Sequence, residues 1–281
     1  MRYRIVNKQQ LNPTVYRIAV EAPLVAAKAK AGQFVILRVH EDGERIPLTV
    51  AGTDLNKGTV DVIYQVVGAT TAKLSALETG DHLTDFVGPL GEPTHIDGVK
   101  RALVVGGGVG CAIALPVARA LKENGAKVDS VIGFRTKELV ILQEEFAAIS
   151  DRLAVMTDDG SYGDHGNVTM PVKAWLEGGA QYDCVYAIGP LVMMKYTVLT
   201  VKPFGVPVVV SMNPIMVDGT GMCGGCRLTL NVDGKKVTKF ACVDGPDFDG
   251  YQVDFDEAMA RGATFVLQER HAKDACNLFA K

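Results

Sequence analysis

Residues 103–118 have the sequence LVVGGGVGCAIALPVA, and this stretch decides the fold. An apolar run suited to a buried strand comes first, a turn of glycines follows, and small and apolar residues suited to a helix complete it. Strand, glycine turn and helix in this order are typical of a parallel α/β sheet. The stretch contains Pro116 and is shorter than the roughly 20 residues that a membrane-spanning helix needs. It therefore predicts the opening strand and helix of an α/β domain.

The alternation of apolar strands with helical stretches continues beyond this segment. The predicted strands cover residues 102–106, 127–133, 152–157, 182–188 and 206–210. The predicted helices cover residues 109–124, 137–148, 168–178 and 191–200. This alternation indicates a doubly wound parallel sheet, to which we assign residues 98–210.

The segments on either side have other patterns. From residue 3 to about residue 90 apolar and polar side chains alternate between turn sequences, which predicts an antiparallel β-barrel over residues 1–97. From residue 211 a glycine-rich loop leads into a short hairpin, Leu228 to Phe240, and we assign residues 211–250 to this third module. Residues 251–281 form a tail that is helical in part. The predicted fold is multi-domain: an antiparallel β-barrel, an α/β doubly wound parallel-sheet domain, and a small C-terminal loop and hairpin module.

The composition is that of an ordinary soluble chain. Its 281 residues are 48% apolar and 22% charged, which suits about two domains with cores of their own. The 29 basic and 32 acidic residues form no basic stripe, so we expect no nucleic-acid or membrane partner. The N-terminal residues lack the regions of a signal peptide. Six cysteines without a sign of export favour reduced thiols or metal ligation, and the expected location is the cytoplasm.

Three of the six cysteines lie close together in the glycine-rich segment. Asp218, Cys223, Cys226 and Cys242 have the spacing D-x4-C-x2-C-x15-C, which is the plant-type two-iron pattern with aspartate in the first place. The glycines of the loop permit the positive φ angles that wrapping around a compact cluster requires. The spacing therefore predicts a [2Fe–2S] site with these four residues as ligands.

Two alternatives to this site stay open. Structural zinc also takes cysteine and occasional carboxylate ligands in C-x2-C pairs, although zinc ribbons usually carry two such pairs. In the second alternative Asp218 is an ordinary loop residue, and the site has three protein ligands. If Asp218 does ligate iron, a hard oxygen replaces a soft thiolate and changes the reduction potential.

The glycine turn after the first α/β strand is suited to a dinucleotide. Such a turn brings a pyrophosphate to main-chain N–H groups at the positive end of a helix. Cys111 replaces the usual third glycine, and no acidic residue ends the next strand at the usual ribose position. Later strands also end in turn residues, at the sheet edge where ligands bind. The predicted nucleotide-binding residues are Gly106, Gly107, Gly108, Val109, Gly110, Gly133, Arg135, Asp158, Asp159, Gly160, Gly189 and Pro190.

The alternative is that these glycines only form turns between strands and helices. Cys111 itself is interpreted as a small buried residue rather than a reactive thiol.

A further motif lies in the predicted barrel. Residues 45–50, RIPLTV, followed by IYQVVG at 63–68 and two threonines, resemble the FAD-binding signature of the ferredoxin reductase superfamily. Arg45 can donate bidentate hydrogen bonds to a phosphate. The extended strand that follows it can contact the isoalloxazine ring. The predicted FAD-binding residues are Arg45, Pro47, Leu48, Thr49, Ile63, Tyr64, Gln65, Gly68, Thr70 and Thr71.

The order of barrel, nucleotide domain and cluster loop resembles the electron-transfer subunit of class B dihydroorotate dehydrogenase over nearly the whole chain. It resembles more closely the small subunit of the NADH-dependent reduced ferredoxin:NADP oxidoreductase, or sulfide dehydrogenase-like small subunit, in which an aspartate ligates the cluster. Two residues depart from the dihydroorotate pattern. Ile46 stands where an arginine precedes the proline, so that Arg45 lies one residue earlier, and Asp218 replaces the first cysteine. The second departure favours the bifurcating family.

The resemblance implies one subunit of a heterodimeric, electron-bifurcating flavoenzyme. This chain would exchange hydride between NAD(H) and its FAD, and its cluster would relay single electrons to a larger flavin and iron–sulfur subunit, which alone would meet ferredoxin. Hydride transfer to a flavin depends on alignment more than on an acid or base, so no catalytic residue is predicted. Arg135 and Lys137 are suited to the 2′-phosphate of NADP(H), whereas the resemblance favours NADH.

Two other functions are kept as alternatives. In the first, the chain is the electron-transfer subunit of an NAD-dependent dihydroorotate dehydrogenase. In the second, which is not enzymatic, it is a zinc-stapled nucleotide-binding regulator. A yellow-brown protein that contains flavin and iron would exclude the second.

Overall fold

The structure, a computed structural model, describes residues 3–274, and its N-terminal part is an antiparallel sheet. The strands are β1 (Tyr3–Asn12), β2 (Val15–Glu21), β3 (Phe34–Arg38), β4 (Arg45–Asp54), β5 (Thr59–Gln65), β6 (His82–Leu83) and β7 (Asp85–Leu90), and the helices are α1 (Pro23–Ala26) and α2 (Ala69–Ala76). The strand order is β6-β1-β2-β5-β4-β3-β7. Because β6 and β7 are consecutive in the chain and form the two edges, the sheet nearly closes into a barrel.

Apolar side chains at alternate positions of the strands fill the interior of the barrel. On β2, Ile18 and Val20 lie inside with exposures of 1% and 0%, and the residues that alternate with them, Arg17, Ala19 and Glu21, are more exposed. The turn from β1 to β2 is held by Asn12, whose Oδ1 accepts the N–H groups of Thr14 and Val15 at 2.9 and 2.8 Å. This polar turn sets the register in which the apolar faces of both strands meet.

The middle of the chain forms a parallel sheet with helices on its faces. Its strands are β8 (Arg101–Gly107), β9 (Lys127–Phe134), β10 (Arg152–Thr157), β11 (Asp164–His165), β12 (Cys184–Ile188) and β13 (Val208–Ser211), and its helices are α3 (Cys111–Glu123), α4 (Gln143–Ile149), α5 (Thr169–Glu177) and α6 (Leu191–Val201). The spatial order β11-β10-β9-β8-β12-β13 reverses direction between β8 and β12. Ligands bind at this switch point in doubly wound sheets.

The C-terminal part is a hairpin, one further strand and two helices. These are β14 (Arg227–Val232), β15 (Lys235–Phe240), β16 (Asp247–Asp249), α7 (Phe255–Gly262) and α8 (Val266–Asp274). The two hairpin strands are joined by Asp233 and Gly234, which have φ angles of 50° and 76°, as a two-residue turn requires. Asp254 begins α7, because its side chain accepts the N–H of Glu257 at 3.1 Å.

The predicted fold class is confirmed, and the third module proves to be continuous with the nucleotide domain. Strand β16 pairs antiparallel with β13 and so extends the parallel sheet. Cys226, Leu228 and Phe248 belong to the same hydrophobic core as Val185 and Val210 of that sheet. Residues 211–250 therefore share a core with the α/β domain.

Two local differences from the predicted elements have physical causes. The helix predicted over 137–148 is a 3-10 turn at Lys137–Leu139 and then α4, because Leu142 adopts a left-handed φ of 59°. Ile141 and Leu142 are buried at 4% and 6%, so packing overrides helix propensity there. Of the predicted tail, residues 275–281 with Cys276 lie outside the described residues. No helix within residues 3–274 is long and apolar enough to cross a membrane.

Candidate functional site

A cavity of about 770 Å³ lies at the carboxyl edge of the parallel sheet, at the switch point. The ends of β8, β9, β10 and β12 line it, and Asn12, Val15 and Gln65 of the barrel line its remaining side. The predicted site residues that line it are Gln65, Gly107, Gly108, Val109, Gly110, Gly133, Arg135, Asp158, Gly189 and Pro190. Gly106, Asp159 and Gly160 lie near it but not on its surface. One cavity thus collects most of the predicted nucleotide residues.

The glycine turn is packed against the end of β12. A Cβ atom on Gly110 would lie 2.6 Å from both the Cα of Gly189 and the carbonyl oxygen of Ile188. Only glycine permits this approach. Residues 108–110 form a 3-10 turn that runs directly into α3, whose first turn contains no acidic residue. The positive end of a helix therefore lies at the cavity, where it favours an anion such as a pyrophosphate.

Sequence reasoning missed several polar residues of this cavity. They are Asn12, Asn167, Thr169, Ser211 and Asn213. Ser211 ends β13, so the rule that had selected the ends of the other strands would have found it. Asn167 accepts the N–H of Thr169 at 3.1 Å just before α5, and a helix-start signal would have found it.

Strand β4 carries the first part of the predicted flavin site. Pro47, Leu48 and Thr49 are half-buried and pair with Ile36, Val35 and Phe34 of β3. The Arg45 side chain is 49% exposed, and its nearest acidic partner is the Asp85 carboxylate at 3.8 Å. A half-exposed strand that begins with an arginine offers a surface for a flat ring and a cation for a phosphate.

Strand β5 presents its two faces to different parts of the protein. Ile63 packs with Val15 and Ala51 against α3, and Gln65 lines the cavity. Tyr64 points the other way, into the barrel core, with 1% exposure. Its hydroxyl has no hydrogen-bond partner within residues 3–274, and burial raises its pKa. Tyr64 can therefore reach a ligand on the outer face only through its main chain.

The remaining predicted flavin residues lie at the start of α2. Thr71 Oγ1 accepts the N–H groups of Val67 and Gly68 at 3.0 and 3.1 Å. The hydroxyl of Thr70 donates to Glu44 at 2.6 Å. Both hydroxyls are thus engaged, and the groups left for a phosphate are the first N–H groups of α2.

We call residues 211–226 the cysteine loop. This loop and the hairpin that follows it bring two of the four predicted cluster ligands together. The Sγ atoms of Cys226 and Cys242 lie 3.2 Å apart, and both residues are buried as free thiols. Burial and the neighbouring thiol raise the pKa of Cys242. The Asp218 carboxylate accepts the N–H groups of Thr220 and Cys223 at 2.9 and 3.0 Å, and these bonds lower its pKa.

Cys223, the remaining predicted ligand, lies at the protein surface. Cys223 is exposed, and its Sγ accepts the N–H of Gly225 at 3.4 Å. Within residues 3–274 no three His, Cys, Asp or Glu side chains are arranged as a closed metal site. The donor set of three thiols and one carboxylate on a glycine loop nevertheless suits an iron–sulfur cluster. The ligand roles of these four residues stay a prediction.

The cysteine loop also contacts the barrel. Gly219 is buried with a φ of 73°, and a Cβ atom there would lie 2.8 Å from Leu90 and 3.2 Å from Ile36. Ile36 is the register partner of Pro47. The loop therefore lies on the barrel beside the predicted flavin strand.

Two other thiols lie in the cores. Cys111 has no exposed surface and lies under the glycine turn, where burial raises its pKa. Cys184 on β12 is also buried, and burial raises its pKa to about 11. The interpretation of Cys111 as a small buried residue is confirmed.

Comparison with known proteins gives consistent results. Residues 213–254 match the family model of the iron–sulfur cluster binding domain of dihydroorotate dehydrogenase B. The dihydroorotate dehydrogenase B (NAD(+)) electron transfer subunit homolog of Thermotoga maritima is 49% identical over 267 residues, which cover 95% of this chain and 92% of the relative. The electron transfer subunit of Streptococcus pneumoniae R6 is 36% identical over 250 residues, which cover 87% of this chain and 94% of that subunit.

One solved structure is similar over almost its entire length. It belongs to the NADH-dependent reduced ferredoxin-NADP oxidoreductase, a protein of flavin-based electron bifurcation, and matches with a TM-score of 0.90. The identity is 44%, and the match covers 98% of this chain and 97% of the other. The resemblance inferred from the sequence motifs is confirmed.

Proposed function

The chain belongs to the family of dihydroorotate dehydrogenase B electron-transfer subunits and their homologues, and from this membership we propose that it is the electron-transfer subunit of a flavin-based electron-bifurcating ferredoxin:NADP+ oxidoreductase. It exchanges hydride between NAD(H) and FAD and relays single electrons through a [2Fe–2S] cluster to a larger flavoprotein subunit. The observation that carries the proposal is the contiguity of three candidate sites. The nucleotide cavity reaches the barrel at Gln65, and the cysteine loop reaches it at Gly219.

The nucleotide would be held by the edge of the parallel sheet. The turn at Gly107 to Gly110 lies at the start of α3 and would hold the pyrophosphate, while Gly189 and Pro190 line the neighbouring end of the cavity. Gln65 and Val15 of the barrel line the same space. These contacts would align the nicotinamide with a ring on the barrel.

The flavin would be held by β4, β5 and the start of α2. When bound, FAD and the cluster supply the chemistry, because a flavin takes up a hydride and can release its electrons singly, and the cluster carries one electron at a time. Arg45 would bind a phosphate, and the half-buried residues Pro47, Leu48 and Thr49 would cover one face of the ring. We assign no side chain as a general acid or base, since alignment suffices for hydride transfer.

The cluster would be held by Asp218, Cys223, Cys226 and Cys242. Cys226 and Cys242 already face each other, and Asp218 is fixed beside the main chain of Cys223. Cys223, which is exposed, would have to turn toward the other ligands to complete the site. The predicted use of three cysteines as metal ligands, rather than in a disulfide framework, supports a cytoplasmic location for the chain.

We further propose a heterodimer with a larger flavin and iron–sulfur subunit, which alone would meet ferredoxin. The four predicted ligands suit one two-iron cluster and leave ferredoxin chemistry to other centres. The second candidate is the electron-transfer subunit of an NAD-dependent dihydroorotate dehydrogenase, which the family relatives favour. Asp218, in place of a first cysteine, favours the bifurcating enzyme.

Purification of the complex from its native source tests the proposal. We expect a yellow-brown heterodimer with one FAD and about two irons on this chain, and flavin bleaching on addition of NADH. A partner that forms orotate would establish the second candidate. A colourless chain that contains zinc would contradict both.

A further inference from the structure

A second pocket, of about 170 Å³, lies between the cysteine loop, strand β14 and helix α7. Apolar residues that include Met212 and Leu228 form part of its lining, and Arg227 and Arg261 belong to the lining as well. Asn213 lines both this pocket and the nucleotide cavity, so the two lie side by side. The proposed function gives this second pocket no part.

The contacts between β14 and α7 bring the two arginines to the same pocket. The hydroxyl of Thr229 donates to the carboxylate of Glu257 at 2.8 Å. Arg227 lies two residues before Thr229, on the same face of the strand. Arg261 lies one turn after Glu257, on the same face of the helix. The N–H of Asp254 donates to the carbonyl of Thr229 at 3.0 Å, so α7 begins beside Thr229 and runs back toward the start of β14. The next position along both elements therefore pairs a cation with a cation.

The charges of these two arginines are not neutralised by neighbouring carboxylates. Arg261 donates to the carbonyl of Gly225 at 3.4 Å, a long contact that places its guanidinium at the end of the cysteine loop. Neither Arg227 nor Arg261 forms an ion pair with a carboxylate whose position the structure describes. Glu257, the acidic residue of the lining, already accepts the Thr229 hydroxyl and lies 3.8 Å from the ammonium of Lys236.

These observations favour an anion as the occupant of the pocket. Two guanidinium groups that line one pocket repel each other, and a negative group between them turns this repulsion into attraction. A guanidinium donates two parallel hydrogen bonds to a carboxylate, so two arginines suit a ligand with two carboxylates. The apolar part of the lining suits the carbon chain that joins them.

We propose that this pocket binds a short dicarboxylate, with one carboxylate on Arg227 and the other on Arg261. The size agrees, because an apolar cavity of about 150 Å³ in another protein holds one benzene molecule, and succinate is only slightly larger. The site is distinct from the nucleotide cavity and goes beyond the proposed function.

Isothermal titration calorimetry of the full chain with its cofactors bound tests the inference, with succinate as the probe. We expect saturable binding, and we expect Arg227→Gln and Arg261→Gln each to weaken it by about tenfold or more, since each removes a charge-assisted pair. Ala258→Leu keeps both arginines but fills the pocket, so it should also prevent binding. The matched control is Arg4→Gln, at an exposed arginine of β1, which should bind succinate as the unaltered chain does.

Three further titrations test the location of the site and the class of its ligand. Succinamide, the neutral diamide of the same shape, should not bind, because it carries no charge for the guanidinium groups. Inorganic phosphate should bind more weakly than succinate, since it has no carbon chain to cover the apolar part of the lining. ADP-ribose should leave succinate binding unchanged, because the two ligands occupy different cavities.

Weaker succinate binding in all three pocket variants, with Arg4→Gln unchanged, supports the inference. Absence of succinate binding overturns it, as does unchanged binding in any of the three variants or an equal loss in Arg4→Gln. Displacement of succinate by ADP-ribose would place the dicarboxylate in the nucleotide cavity and would also overturn the inference. Phosphate or succinamide binding as tight as that of succinate would overturn the assignment to a dicarboxylate.

Discussion

The Sγ atoms of Cys226 and Cys242 lie 3.2 Å apart inside the core that the cysteine loop shares with the parallel sheet. Fifteen residues separate the two cysteines in the sequence, and the hairpin of β14 and β15 brings them together. Two thiols this close without a disulfide are suited to hold one metal centre between them.

Replacing Cys226 or Cys242 by serine should remove the cluster. A serine hydroxyl is a poor substitute for a thiolate on iron, so we expect iron to fall from about two atoms per chain to a small fraction of that. Iron analysis and the visible spectrum measure the loss. The matched control is Cys184→Ser, at a buried thiol outside the loop, and iron loss in that variant would show that the effect is one of folding.

Asp218→Cys should keep the cluster and change its potential. The variant restores the all-cysteine pattern and replaces a hard oxygen by a soft thiolate, so we expect a shift of roughly tens of millivolts. A redox titration followed by EPR measures it. Asp233→Asn, in the exposed hairpin turn, serves as the control. An unchanged potential and EPR spectrum in Asp218→Cys would remove Asp218 from the ligands.

Gly110→Ala should damage the nucleotide turn. The added Cβ would lie 2.6 Å from the main chain of residues 188 and 189, and overpacking of this kind costs about 1–3 kcal/mol. We expect a lower Tm and weaker ADP-ribose binding. Gly262→Ala, where a Cβ meets nothing within 4 Å, is the control. Unaltered binding in Gly110→Ala would argue against the close packing of the turn on β12.

Asp247 should make the stability of the fold depend on pH. Its carboxylate is buried between β13 and the segment before β8, where Thr94 donates to it at 2.6 Å, and this burial raises its pKa above the ordinary 3.8. Because folding favours the neutral acid, its contribution is complete at low pH and is lost as pH rises through the raised pKa.

Thermal unfolding of Asp247→Asn measures this contribution. As pH rises above the ordinary pKa of 3.8 the Tm of the unaltered chain should fall relative to that of the variant, by roughly 2–4 °C for each kcal/mol lost. Asp249→Asn, on the exposed end of the same strand, should follow the unaltered chain. Parallel profiles for the unaltered chain and Asp247→Asn would contradict the prediction.

The sequence predicted the elements whose local pattern and tertiary environment agree. The parallel strands at 127–133 and 152–157 are observed within one residue, since each contains consecutive apolar residues and ends at a turn. The glycine turn could be predicted because glycine is the residue that fits where a Cβ atom would clash with neighbouring atoms. The strand-end rule also selected Asp158 correctly as a residue of the cavity.

Features set by distant contacts could not be predicted in this way. The β16 strand is three residues long and carries no periodicity, and it exists because β13 offers it a free edge. Alternation along β5 shows that Tyr64 and Gln65 face opposite sides, but not which side meets the nucleotide domain. Whether Cys223 faces its fellow cysteines depends on side-chain orientation, which spacing does not specify.

The contact of Gly219 with Ile36 and Leu90 has a consequence for the timing of electron flow. Since the cysteine loop lies directly on the barrel, no swing of one domain toward another is needed to bring the proposed cluster site and the proposed flavin strand together. Electron tunnelling between them should then proceed at a rate that solvent viscosity leaves unchanged. Glycerol or sucrose would slow the arrival of nucleotides while leaving this internal step as fast as before.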